Sequence, residues 1–204
     1  MAQRPPNLRR LFGPLTSEII GKSNRINWPI DLRYRHVIRD LLFWFAHYEL
    51  YTPKWSSNIF DEWRDVMVRK GVPEEEAKKR VNRANKAFPD ALVLNYDGLI
   101  NNLKLPDEND RHVLAAAIKT NANIIVTNNL KDFPDTYLDT FGLKAKSADD
   151  FLTDIIDLNH DTAIEAFKDL VFHKKNPEMD EYQVLESFRI NGLLDTANYL
   201  HALL

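Results

Sequence analysis

The 204-residue chain contains no cysteine. That absence excludes disulfide scaffolds, thiolate zinc sites and cysteine nucleophiles together, and it suits a reducing compartment, so a cytoplasmic protein is expected. Long apolar runs are missing too. The densest, Leu41–Ala46, falls far short of the roughly 20 residues that a membrane span needs, and the opening Met-Ala-Gln-Arg-Pro-Pro carries no apolar stretch of the signal-peptide kind. An excess of basic charge is absent as well. Lys plus Arg is 27 against 30 Asp plus Glu, a net charge of −3, which argues against a wholesale basic nucleic-acid binder while leaving room for a local basic groove. Internal repeats and low-complexity segments are lacking. What is present, 44% hydrophobic and 28% charged residues, is ordinary for a globular protein and excludes disorder of the whole chain. The length fits one compact domain with a small appendage.

Residues 1–30 are punctuated by Pro5, Pro6, Pro14 and Pro29, and Leu15–Ile20 reads equally as a helical turn or a short strand. Apolar residues at helical spacing predict a helix from Arg35 to about Leu50. Ser56 or Ser57 caps a second, Asn58–Arg69, closed by Gly71. A third runs from Glu74 to about Phe88, with acids leading and bases following as the helix dipole favours. Ala91–Tyr96 and Asn123–Thr127 read as short buried strands, Asp110–Thr120 as a strong helix with Val113, Leu114, Ala117 and Ile118 on one face, and Leu143–Lys146 as an edge strand. Strands alternating with helices predict an α/β sheet with helices on its faces. After Lys146 the strand signal disappears. Ser147 and Asp150 form a capping-box pattern, and helices are expected over Phe151–Leu158, Asp161–Lys174, Asp180–Ile190 and Asp195–Leu204.

Chemistry concentrates between Leu105 and Pro134, LPDENDRHVLAAAIKTNANIIVTNNLKDFP. Asp107, Glu108 and Asp110 stand at a helix start, where acids also serve as caps. The strand NIIVT runs directly into Asn128 and Asn129, with Asp132 just beyond. Ligands of open α/β sheets gather at the carboxyl ends of strands, so Asp110, Asn129 and Asp132 can converge on one small cavity. Oxygen donors of this kind suit Mg2+ or Mn2+, and carboxylates held close repel unless a cation offsets them.

This stretch resembles the PIN-domain family, and most closely the branch of VapC-type toxins. The resemblance rests on Asp110-Arg111-His112-Val113-Leu114-Ala115-Ala116-Ala117 and on Thr127, Asn129, Asp132, Phe133 and Pro134. It extends to Ile38-Arg39-Asp40-Leu41-Leu42, to Trp55-Ser56 with Ile59, Asp61, Glu62 and Trp63, and to Phe88-Pro89-Asp90-Ala91. In the tail it includes Phe151-Leu152, Asn176-Pro177 and Gly192-Leu193, which are similar to a C-terminal extension of one subgroup. The resemblance implies a PIN-like parallel sheet flanked by helices, with a helical C-terminal subdomain. The corresponding division is an atypical segment over 1–30, a PIN-like domain over 31–146 and a helical extension over 147–204.

The resemblance further implies a divalent-metal-dependent endoribonuclease whose acids hold Mg2+ or Mn2+, activate water and cleave RNA phosphodiesters. Carried over residue by residue, Glu62, Asp110 and Asp132 are the catalytic and metal-holding acids, with Thr127 and Asn129 in support. The expected partners are the RNA substrate, a cognate antitoxin and a second copy of the chain; no membrane is involved. DNA cleavage would use the same chemistry. The family's first acid ends a strand about ten residues before the Arg-Asp pair; here that offset falls on Pro29, and the nearest acid is Asp31. The alternative is therefore a catalytically impaired PIN-like protein that acts by binding RNA or protein.

Other residues have blander readings. His112 is expected to make a buried hydrogen bond rather than act as a general base. Asp107 is expected to be a loop acid away from the metal. Arg33, Arg35, Arg39, Lys54, Lys78, Lys79, Arg80 and Arg83 form either an RNA path or a solvated face. Phe43, Trp44, Phe45, Tyr48 and Tyr51 belong to the core or a dimer surface.

Overall fold

A computed structural model describes residues 36–175 and 177–204. Asp31, Arg33, Arg35, the Leu15–Ile20 segment and Asn176 lie outside the described residues. The first helix, α1, covers His36–His47 and ends where Glu49 takes a positive φ of 57°. Strand β1, Trp55–Ser56, leads straight into α2, Ser57–Arg69. Helix α3 spans Glu74–Ala87, β2 Leu92–Val93 and the short α4 Asp97–Ile100. Then come α5, Arg111–Lys119, and β3, Ile124–Val126. A single turn, α6, covers Asp135–Leu138 and β4 covers Lys144–Lys146. The tail is α7, Ala148–Leu158; α8, His160–His173; α9, Glu181–Ile190; and α10, Leu194–Leu203. No described helix is long and apolar enough to cross a membrane.

The strands form two parallel pairs. β1 pairs with β2, matching Trp55 to Leu92 and Ser56 to Val93. β3 pairs with β4, matching Ile124 to Lys144 and Val126 to Lys146. The expected single sheet is thus two separate pairs among the described residues. Helix α5 packs on β1 and on β3, so it spans both pairs. Its three successive alanines, Ala115, Ala116 and Ala117, are all buried beside Leu114, and small side chains let the helix lie close to both. Asn121, at φ 50°, stops it in the left-handed conformation. The strand expected over Ala91–Tyr96 shrinks to Leu92–Val93 because Asn95 turns out of the extended region at φ 59°.

Two apolar clusters form among the described residues. The smaller gathers Val93, Tyr96, Leu114, Ile125, Phe133, Leu138 and Leu143 around α5 and the strands. The larger runs from Leu41 and Phe45 of α1 and Trp63 and Met67 of α2 into Leu152, Phe167, Phe188 and Leu200 of the tail. The tail therefore shares one core with α1 and α2. Phe45, Phe167 and Phe188 are each fully buried, and each such side chain contributes roughly 1.5–3 kcal/mol. Trp44, Phe45, Phe43, Tyr48 and Tyr51 all belong to this core or pack against it.

Polar contacts reinforce the same seam. The Tyr48 hydroxyl donates to Asp169 at 2.6 Å; burial first, then this carboxylate, holds the phenol well above the usual tyrosine range. Arg39 donates to Asp40 at 2.8 Å, and Lys174 from the end of α8 reaches the other Asp40 oxygen at 3.6 Å. Arg39 is 4% exposed among the described residues, so it lies in this seam and not on a solvated face. Lys78, Arg80 and Arg83 pair with Glu74, Glu75 and Glu76 along α3, as on a solvated helix face.

A carboxylate of α7 holds the start of α10. Asp149 accepts from the amides of Asp195 and Thr196 at 3.0 and 2.8 Å and from the Thr196 hydroxyl at 2.6 Å, capping α10 from α7. Asp149→Ala is expected to lower stability by about 2–3 kcal/mol, measured by urea unfolding, with the helical circular dichroism of the native state retained.

Candidate metal centre

The acids arrive from two local devices, one before α5 and one after β3. Asp107 caps a single 3-10 turn, Glu108–Asp110, by accepting from the Asn109 amide at 2.9 Å and from the Asn109 side chain at 2.8 Å. That turn delivers Asp110 to the N-cap position of α5, where it is buried at 4% exposure. On the other side, β3 ends at Val126 and the ladder extends one bond further, from the Thr127 amide to the Lys146 carbonyl at 2.9 Å. The Thr127 hydroxyl accepts from the Asn129 amide at 3.0 Å. The Asn129 side chain donates to Asp132, and the buried Phe133 anchors the turn from below.

The result is a group of three acids. Asp107, Asp110 and Asp132 each offer an oxygen, and these atoms lie within 4.8 Å of one another. The donors are all carboxylate oxygens, the hard set that Mg2+ and Mn2+ prefer. The structure therefore brings together Asp110 and Asp132, as expected, and adds Asp107. Asp107 was expected to be a loop acid with no contact to a metal; in the structure it caps the 3-10 turn and its carboxylate lies in this group. The spacing Asp107-x-x-Asp110, one turn of helix, is the signal that would have found it.

Glu62 lies elsewhere in this arrangement. It stands on α2 and faces α5, with its carboxylate 3.5 Å from Nε2 of His112. The other ring nitrogen of His112 is 2.8 Å from the Ser56 hydroxyl. His112 and Ser56 are both buried, so His112 makes the buried hydrogen bond expected of it. Ser56 also caps α2 by accepting from the Ile59 amide at 3.3 Å. Next to it, the Tyr96 hydroxyl donates to Asn58 at 2.5 Å and lies 2.9 Å from the Ser57 hydroxyl, fixing the start of α2 over the end of β2. Asn128 was not among the candidates, yet its side chain accepts from the Ala148 amide at 3.2 Å. It thereby joins the end of β3 to the first tail helix.

The site thus has oxygen-donor acids at the carboxyl edge of parallel strands, the position where α/β proteins bind ligands. Residues 40–131 match the PIN domain family and residues 148–202 match the VapC50 C-terminal domain. The chain thus carries a PIN-domain region followed by a VapC50-type C-terminal region. It is similar to the protein named "Putative ribonuclease VapC50" of Mycobacterium tuberculosis (strain ATCC 25618 / H37Rv), 40% identical over 78 residues, which is 38% of this chain. The match spans 46% of that relative's length. No solved structure matches the chain.

The Thr127 hydroxyl carries the turn that presents Asn129 and Asp132. Thr127→Val keeps its shape but removes the acceptor for the Asn129 amide, and is expected to lower stability by about 1–2 kcal/mol. Thr127→Ser is expected to cost less, and denaturant unfolding of the two variants separates the hydroxyl from the methyl.

Proposed function

We propose that the chain is a divalent-cation-dependent endoribonuclease, the toxin of a toxin–antitoxin pair. The observation that carries this reading is the convergence of Asp107, Asp110 and Asp132 within a chain that carries a PIN-domain region. The name of the relative, a ribonuclease, supports the substrate class. Asp110, Asp132 and Asp107 would hold the cation; Glu62, which faces His112 from α2, and Asp31 of the N-terminal segment are further candidates that the family resemblance supplies. Asn129 holds Asp132 in its turn, and Thr127 holds Asn129.

Mg2+ or Mn2+ bound by such acids offsets charge on a phosphodiester and makes a water more acidic. The protein's own contribution is geometric. Asp110 is fixed by the start of α5 and Asp132 by the turn after β3, so the two acids converge from separate elements without a flexible side chain spanning the gap. Such fixed placement avoids reorganisation when substrate arrives. The proposed catalytic unit is residues 31–146, with 147–204 as the extension. A cytoplasmic location, an RNA substrate, an antitoxin partner and a homodimer complete the reading.

A second reading, a PIN-like protein that binds RNA or protein without cleaving, is favoured by two observations. Pro29 stands where the family's first acid is expected, and the described strands form two pairs rather than one sheet. One assay separates the two. A fluorogenic RNA incubated with Mn2+ is expected to be cleaved by the wild type, and Asp110→Asn is expected to reduce the rate by at least about 100-fold with an unchanged melting temperature. Equal cleavage by wild type and variant sinks the assigned site. RNA retained by the wild type without cleavage supports the binding protein.

A further inference from the structure

The acid group raises a charge problem for an RNA substrate. Asp107, Asp110 and Asp132 place three carboxylates on one small site, and a single divalent cation offsets only two negative charges. A phosphodiester is itself an anion, so the acids and the cation alone leave the site net repulsive to it. The remaining positive charge has to come from bases beside the acids. Along the two acid-bearing segments, residues 104–111 and 130–132, the bases are Lys104, Arg111 and Lys131. Arg111 is matched by Glu108, whose carboxylate accepts from its guanidinium at 2.6 Å. Lys146, at the end of β4, is matched by Asp154 of α7. Lys104 and Lys131 are both exposed, and neither has an acid partner among the described residues.

Their backbones are anchored although their side chains lie in solvent. Lys104 stands between the buried Leu103 and Leu105, and its amide donates to the Tyr137 hydroxyl at 3.1 Å. Lys131 is the middle residue of the turn Leu130–Asp132, which ends on the buried Phe133. Lys131 adjoins Asp132, and Lys104 is three residues from Asp107. Covalent geometry alone therefore keeps their α-carbons within about 4 and 11 Å of those of the acids. We propose that Lys104 and Lys131 are the backbone-binding residues of this site, each taking a phosphate of the RNA strand beside the cation. The inference rests on the cation reading given above. The charged side chains of the two segments are three bases and four acids, so a divalent cation brings them to a net +1. Without the two lysines the same groups and cation carry −1. The sign of the force on a phosphate thus depends on these two side chains.

The test is fluorescence anisotropy of the full chain with a short fluorescein-labelled single-stranded RNA. It is run in Ca2+, a hard cation for the same oxygen donors, over a series of potassium chloride concentrations, with the RNA checked on a gel for integrity. Each phosphate contact adds about 0.7 to the slope of log affinity against log salt for a single strand. Lys104→Ala and Lys131→Ala are therefore each expected to flatten the slope by about 0.7, and the double variant by about 1.4. Lys104→Arg and Lys131→Arg are expected to keep it. Lys168→Ala, which removes an exposed charge from α8, is expected to leave it unchanged. An unchanged slope in the double variant, or an equal loss from Lys168→Ala, overturns the proposal. So does a wild type that binds no RNA at the lowest salt. Calorimetry with Mn2+ tests the cation reading separately. The lysine variants are expected to bind Mn2+ at least as tightly as the wild type, and Asp110→Asn to lose it. Weaker Mn2+ binding by the lysine variants overturns the proposal, because a lost cation then accounts for the slope. Equal Mn2+ binding by the wild type and Asp110→Asn overturns the cation reading and this proposal with it.

Discussion

The packing of α5 across both strand pairs is the constraint on which the site depends. This helix touches β1 from one pair and β3 from the other, and its alanine-rich stretch is buried throughout. Interiors pack at the density of organic crystals, so a helix that contacts both pairs also fixes their spacing. Asp110 and His112 stand at its first turn. One therefore meets Asp132 from the end of β3, and the other meets Ser56 from the end of β1. The acid cluster and the Ser56–His112–Glu62 contacts are two consequences of one packing arrangement.

The C-terminal helices serve the same geometry from further away. They share the larger apolar cluster with α1 and α2, so the helix carrying Glu62 rests on a core to which the tail contributes. Asn128 adds a hydrogen-bonded link between the tail and the strand-end turn. It follows Thr127, and its side chain caps α7, so the turn bearing Asp132 and the start of the tail are set by neighbouring residues. In this chain the extension is structurally continuous with the PIN-like part; its removal would expose the apolar faces of α1 and α2.

Much of the fold was legible because its signals are local. The helical spacing of Val37, Ile38, Leu41, Leu42 and Phe45 marks α1, and Ser147 with Asp150 marks the start of α7, where the serine does cap the helix by accepting from the Asp150 amide at 3.1 Å. The β-branched run Ile124–Val126 marks β3. Strand β1 was missed because two residues carry no periodicity, and α4 and α6 because single turns carry too little pattern to distinguish from loop. Within the site, Asp110 and Asp132 were legible from their placement beside a helix start and a strand end. Asp107 was not: a loop acid and a capping acid look alike until the turn is seen.

By itself the sequence determined the longer helices, the strand β3, the acids available and the resemblance to the PIN domain, since periodicity, capping residues and motif spacing act within a few residues of one another. Only the tertiary structure decided which acids share a site. Asp107, Asp110 and Asp132 meet because a 3-10 turn and a strand end are brought to one edge, while Glu62 is turned toward His112. It likewise decided that the strands stand as two pairs bridged by α5 and that the tail belongs to the α1 core. These are contacts between residues far apart in the chain, and only the packing of whole elements sets them.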